Sequence, residues 1–412
     1  MSFRYTGGIL SATSPTVTSP SEGEGGSASG AWSLRSVLLH EATSAWPKLT
    51  RYRGLWTWGR NNVGQLGLGN TTYKSSPNQV GALTTWVSVG GGYSSTAWSI
   101  ATKSDGTLWS WGNNGQGQLG LGNATAYSSP KQVGALTTWP ATPGTGSSKI
   151  AAGQFHCLSV KTDGTLWTWG SNTYGQLGLG NATAYSSPKQ VGALTTWSSV
   201  DVEMNHSAAI KTDGTLWTWG DAARGQLGHN NITALSSPKQ VGSLTTWLSV
   251  ACGHNSLRAI KTDGTLWTWG KSNLGQLGLG NTTSYSSPKQ VGSLTTWLNI
   301  AGGLYQNIAV KTDGTLWSWG QNSNGQLGDG TAINKSSPVQ VGALTTWSQV
   351  NCSEYGSFAI KTDGTLWSWG MNEHGSLGLG NATVYSSPKQ VGALTTWTKI
   401  ANGDHHAVAL KY

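Results

Sequence analysis

Four residue patterns in the 412-residue chain have types and spacings that could support chemistry. The run Gly175-Gln176-Leu177-Gly178-Leu179-Gly180 has the glycine density of a phosphate-cradling loop. Such a loop needs a strand before it and, after it, a helix whose N-terminus faces the phosphate. No helical period follows, and the run recurs along the chain with Ser376 for Gln in one copy, so it reads as a structural turn. Asp404-His405-His406 offers three metal-ligating groups, but adjacent ligands rarely complete a coordination shell, and no metal is expected. His156, His206 and His406 share one recurring position that Ser256, Gln306 and Gly356 fill elsewhere, which points to local packing. Asn-x-Thr occurs at Asn70, Asn123, Asn181, Asn231, Asn281 and Asn381 as part of the recurring phrase, and no secretory leader supports glycosylation there. No Ser/His/Asp or paired-carboxylate set stands outside the recurring phrases, so the expectation is a non-enzymatic protein without a cofactor. Cys157, Cys252 and Cys352 are too few for a disulfide framework and read as small buried hydrophobes.

The elements that must hold these groups are written in tryptophan and glycine, with 24 Trp and 59 Gly against 10% charged residues. Trp pairs fall at 56/58, 109/111, 167/169, 217/219, 267/269, 317/319 and 367/369. A third Trp ends each Leu-Thr-Thr-Trp phrase, at 86, 139, 197, 247, 297, 347 and 397. Together they account for all but Trp32, Trp46 and Trp98. A period settling at 50 residues signals a solenoid or a propeller. No run of eighteen apolar residues is present, so no membrane span is expected.

One unit reads as four short β-prone runs, 187–192, 195–200, 207–214 and 215–220, divided by Gly, Pro and Asp-Gly signals. Asp-Gly between alternating runs is a strong hairpin signal. Seven such units predict an all-β, seven-bladed propeller of four-stranded blades. An open solenoid would need polar capping repeats at both ends, and the ends here are complementary instead. The repeats begin inside a unit, at Arg53-Gly54-Leu55-Trp56-Thr57-Trp58-Gly59, and stop at His406–Tyr412 where that last strand is due. The N-terminal strand is therefore expected to complete the last blade. This divides the chain into a Gly/Ser/Thr-rich arm, 1–50, with a short helix within 31–43, and a propeller, 51–412.

The phrase from His-Ser-x-Ala through Asp-Gly-Thr-Leu-Trp-Thr-Trp-Gly to Gly-Gln-Leu-Gly-Leu-Gly resembles the repeat of the regulator of chromosome condensation family, over about residues 51–412. The resemblance implies a seven-bladed propeller whose termini share a blade. Guanine-nucleotide exchange in that family belongs to members with an inserted wedge, and the insertions here, 91–96 and 140–148, are short and uncharged. The first fifty residues, with Gly-Gly-Ile-Leu-Ser-Ala-Thr-Ser-Pro, Ala-Trp-Ser-Leu and Ala-Trp-Pro, resemble a segment of virion structural proteins of tailed phages. That resemblance implies attachment to other virion proteins through Trp32, Leu34, Leu38 and Trp46; on composition alone the segment is a flexible leader.

The copies differ in two places only, and comparison within the chain locates candidate binding residues. The first is the stretch before each second strand, with Tyr93, Gln154, Phe155, His156, Met204, Asn205, Arg258, Leu304, Tyr305, Glu354, Tyr355, Asp404 and His405. The second follows Trp-Gly, with Tyr174, Arg224, Leu274 and His374. Antiparallel strands place both on one rim and the constant turns on the other. The variable rim carries aromatic, Met and Arg types enriched at binding hot spots. Much of the net charge of +9 comes from Lys131, Lys189, Lys239, Lys289 and Lys389, spread around the ring with no basic cluster, so nucleic acid is not the expected partner. The recurring Lys of the second strand, such as Lys211, is expected to be partly neutralised by its neighbour Asp213. The expectation is a virion recognition or assembly protein that contacts a host-surface glycan or protein. A bacterial cytoplasmic or surface location is the alternative.

Overall fold

The computed structural model describes residues 53–93, 97–140 and 148–412. The arm with Trp32, Leu34, Leu38 and Trp46 lies outside the described residues, as do most of both insertions. From Arg53 onward the chain forms one compact unit of 28 strands in seven antiparallel four-stranded sheets. One blade runs from its inner strand Trp197–Glu203 through His206–Lys211 and Leu216–Gly220 to the outer strand Leu235–Gln240. The Pro-Lys-Gln-Val run expected to open a unit instead closes the preceding blade: Tyr185–Gln190 pairs with Leu166–Gly170. The count and content of the unit stand, and its phase shifts by one strand.

The recurring phrases are explained by local bonds. Asp213 Oδ1 accepts from the Thr215 amide at 2.9 Å and from its hydroxyl at 2.7 Å, which holds the Asp-Gly turn. Thr215 Oγ1 in turn accepts the Trp217 indole N–H at 2.8 Å. Lys211 Nζ lies 3.7 Å from the Trp217 ring centroid and 4.9 Å from that of Trp197. The recurring lysine is thus stacked on tryptophan faces, and its charge also interacts with that of Asp213 as expected. This is a favourable site for a cation, because the ring faces carry negative quadrupole density. Trp197 meets Trp217 and Trp219 edge-on at 6.1 and 6.3 Å, the geometry aromatic pairs prefer. Cys157, Cys252 and Cys352 are free and buried, as expected.

Blades are clasped through the Gly-Gln-Leu-Gly turn. Trp219 is fully buried, and its Nε1 donates to the Gln176 carbonyl of the preceding blade at 2.8 Å. The same bond recurs from Trp111 to Gln65, Trp169 to Gln118, Trp269 to Gln226, Trp369 to Gln326 and Trp58 to Ser376. Where Trp319 lacks it, Asn307 Nδ2 donates to the Gln276 carbonyl instead, at 2.7 Å. Gly178 sits at φ +72°, and a Cβ there would lie 2.8 Å from Trp219 Nε1. The glycine-rich run is therefore an inter-blade socket for an indole.

Closure uses the same parts. Gly54–Gly59 pairs with His406–Lys411 in register from Gly54↔Lys411 to Gly59↔His406. Lys74–Gln79 adds outside it, so the N-terminal stretch contributes two strands to the last blade rather than one. Trp397 meets Trp56 and Trp58 edge-on at 6.3 and 5.9 Å, which reproduces the triad of an unbroken blade across the ends of the repeat region. If closure equals an internal blade, Trp58→Ala and Trp219→Ala should each cost roughly 3–5 kcal/mol in chemical denaturation. A Trp58 variant near wild-type stability would contradict closure. Gly178→Ala should cost roughly 2–4 kcal/mol from overpacking added to left-handed strain. Gly192→Ala is the control: its φ is +58° with nothing within 4 Å of a Cβ, so it should lose only about 1 kcal/mol.

Candidate functional site

Each blade sends two variable connections to the same face, and a backbone bond ties them together. In one blade the Asp221 amide donates to the Asn205 carbonyl at 2.9 Å. The equivalent bonds run from Ser171 to Phe155, Lys271 to Asn255, Gln321 to Tyr305, Met371 to Tyr355 and Arg60 to His405. The constant turns are tied likewise on the opposite face, by the Thr212 amide to the Thr196 carbonyl at 2.8 Å. The expected division into a variable and a constant face is present in the backbone.

At the centre of the variable face one position per blade converges on the ring axis. Tyr93, Gln154, Met204, His254, Leu304, Glu354 and Asp404 line a single cavity of about 370 Å³ together with Glu203, Tyr305 and Tyr355. No two of the seven equivalent residues are alike, whereas the turns beneath the ring scarcely vary. Tyr93 also lines the axial channel below, about 210 Å³, and its hydroxyl donates to the Cys352 carbonyl at 2.8 Å across the ring. The cavity wall mixes aromatic and acidic groups. Tyr305 has His254 at 5.6 Å and Lys271 Nζ at 5.2 Å from its ring centroid. Glu203, Glu354 and Asp404 add three carboxyls to the lining, and Tyr355 hydrogen-bonds Glu354. Burial, together with the nearby Asp404 carboxyl, pushes Glu354 well above the usual carboxylate range, and burial raises Asp404 as well. Glu203 rises to about 7 through burial and the repulsion of Asp201 and Glu354.

Eight of the seventeen predicted rim residues meet at this cavity: Tyr93, Gln154, Met204, Leu304, Tyr305, Glu354, Tyr355 and Asp404. Phe155, Asn205 and His405 occupy the next position and are half-buried. Tyr174, Arg224 and His374 stand exposed on the outer loops of the same face, with Leu274 half-buried there. His374 reaches back to His405, with ring centroids 5.6 Å apart. Two predicted rim residues are misplaced. His156 begins the strand His156–Val160, is fully buried, and bonds Ser207 Oγ through Nε2 at 3.0 Å. Burial depresses its pKa to about 3, which leaves it a neutral packing group.

Arg258 lies in the strand Ser256–Lys261 and is fully buried. Its guanidinium packs against Gly253 and Gly302, and Nη2 donates to Ser256 Oγ at 3.0 Å. The reason is a swap. In another blade the His156 ring packs over Gly153, and Ser256 leaves the equivalent space free for Arg258 to fill over Gly253. Variation at this inner position is therefore compensated packing. Two cavity residues were missed, His254 and Glu203. The period of 50 alone places 254 with 204, 304, 354 and 404. Glu203 stands where other copies carry Gly153, Gly253, Gly303 and Gly403, and that exception was the signal for it.

The model of the RCC1-like domain matches residues 141–409. The chain belongs to the RCC1-like domain family. The regulator of chromosome condensation (RCC1) repeat also matches at 54–98 and 105–160. This RCC1-like propeller is 37% identical over 141 residues to the ultraviolet-B receptor UVR8 of Arabidopsis thaliana, covering 34% of this chain and 30% of that protein. It is 33% identical over 146 residues to human RCC2, covering 35% and 26%. It therefore spans only a minor part of the length of these curated relatives. Human WBSCR16 superposes with a TM-score of 0.77 at 22% identity, over 88% of this chain and 99% of that one. Yeast Prp20p superposes at 0.75 with 19% identity, over 88% and 92%. At these identities the structural likeness carries the fold alone.

Below the cavity, Asp201 lines the channel wall, and its Oδ2 accepts the Cys252 amide at 2.6 Å. Burial raises its carboxyl to about 7 despite that bond and Arg258 nearby. A carboxyl whose folded pKa lies above its unfolded value favours the fold most at low pH, and that contribution is lost as pH rises through about 7. Asp201→Asn should therefore raise stability by on the order of 2 kcal/mol at pH 8. The gain should vanish below about pH 4, where both states are protonated. Thermal midpoints of both proteins across this range check the sign.

Proposed function

We propose that the propeller is a non-enzymatic recognition module that binds its partner at the axial cavity of the variable face. The observation that supports this best is the convergence of seven unlike residues from one repeat position on one cavity. Neutral drift would scatter differences over every loose turn, yet the Asp-Gly and Leu-Thr-Thr turns on the opposite face stay nearly constant. Function on loops held by a rigid scaffold is the usual arrangement. Tyr305 and Tyr355 offer stacking faces, and the carboxyl groups beside them accept hydroxyl or ammonium groups, which suits a glycan or a polar protein segment.

The N-terminal resemblance extends the reading to a tailed-phage virion, with residues 1–50 attaching the ring to other virion proteins and the cavity facing a host surface. A purely structural role in virion assembly is the runner-up. Regulation of a GTPase is a further reading, suggested by Prp20p, whose structure was described with its binding properties to Gsp1p and histones. The short, uncharged insertions weigh against it.

The test is binding of the labelled full chain to intact bacterial cells and to an array of bacterial surface glycans. Tyr305→Ala and Tyr355→Ala should each weaken binding by roughly 30-fold or more, as central aromatic anchors do. Tyr174→Ala and Arg224→Ala on the outer loops should change it less than about fivefold. No binding by the intact chain would remove the host-recognition reading, and equal losses from both pairs would move the site off the axis.

A further inference from the structure

One cluster on the cavity wall brings two carboxyls and an imidazole together from adjacent blades. Glu354 from one blade meets Asp404 and His405 from the next, and one potential ligand atom from each lies within 4.8 Å of the others. We infer that Glu354, Asp404 and His405 form a binding site for a divalent first-row transition cation of the Zn²⁺ or Mn²⁺ type.

Two features carry this. The first is the geometry. Asp404 Oδ1 and His405 Nε2 stand 3.4 Å apart. That is long for a hydrogen bond, and two donors each about 2.1 Å from a tetrahedral ion lie about 3.4 Å from one another. The second is a weakly partnered oxygen. Asp404 is only 5% exposed and its carboxyl hydrogen-bonds Glu354, yet its Oδ1 has no hydrogen bond and only the 3.4 Å approach of His405 Nε2. A buried carboxylate oxygen without a donor is costly, and buried charges are paired or coordinate metals. The side chains facing it are another carboxyl and an imidazole, so a cation satisfies all three at once.

The surroundings weigh the same way. Arg60 contributes a positive charge near Asp404 and His405, against which stand Glu354, Glu203 and Glu373. Carboxylate and imidazole donors together suit zinc or manganese, whereas calcium takes six to eight oxygens. Three protein ligands leave a coordination position free, and the wall on which Glu354 and Asp404 sit opens into the cavity. His406, the ligand that sequence adjacency suggests, is excluded because it is buried and bonded to Ser99 Oγ through Nε2 at 2.9 Å. Glu354, fifty residues upstream and one blade away, takes its place.

The experiment uses the full chain, stripped with a chelator, desalted, and titrated with ZnCl₂ and MnCl₂ by calorimetry at pH 7.5, with bound metal counted by mass spectrometry. One equivalent of either ion should bind per chain. Glu354→Gln and His405→Gln should each weaken binding by at least tenfold while the metal-free melting temperature stays within a few degrees of wild type. Absence of saturable one-to-one binding would overturn the site in favour of a proton shared between the two carboxyls. Equal binding by wild type and both variants would overturn it in favour of histidines elsewhere. Should a variant not fold, Asp404→Asn supplies the same comparison. The readout needs no partner, so failure here leaves the recognition reading untouched, and loss of that reading leaves this site standing.

Discussion

The ring rests on one repeated contact: an indole from each blade seated against a left-handed glycine of the preceding blade. A side chain at Gly178 would occupy the space that Trp219 fills, and only glycine adopts that backbone conformation without strain. The contact is apolar in area and polar at its tip, since Nε1 finds the Gln176 carbonyl at 2.8 Å. Both requirements of a buried tryptophan are met by one tight turn. It is repeated around the ring and closed by Trp58 on Gly378.

Because the clasp and the constant face carry the packing, the opposite ends of the strands are free to differ. They differ in two ways that look alike in the sequence. At the inner position the differences compensate one another, as when Arg258 fills the space that His156 fills in another blade. At the tip they do not, and Gln154, Met204, His254, Leu304, Glu354 and Asp404 point unlike chemistry at one cavity. A rigid scaffold with a mouth lined by aromatic and acidic groups follows from that separation of roles.

Much of this was legible beforehand. The Trp spacing specifies seven blades, and the broken unit at Arg53–Gly59 specifies closure, because a Trp-x-Trp strand without its partners must find them at the other end. The phase of the blade was not legible. Ser-Pro-Lys-Gln-Val lies between two strands in sequence, and only the pairing of Tyr185–Gln190 with Leu166–Gly170 decides to which it belongs. Sequence adjacency pairs the charge of Lys211 with Asp213, and the fold adds what adjacency does not show, the ammonium seated over Trp217 from the adjacent strand.

The sequence by itself determined the architecture, the closure and the face that varies, because these follow from periodicity and from strand alternation. Tertiary structure alone decided which variable residues share a site. Neighbours such as His405 and His406 are driven to different environments, one half-buried in the turn at the rim and one buried at the start of the strand His406–Lys411, because the chain passes there from loop into sheet. Residues fifty positions apart, Glu354 and Asp404, are brought together because adjacent blades stack at matching heights around one axis.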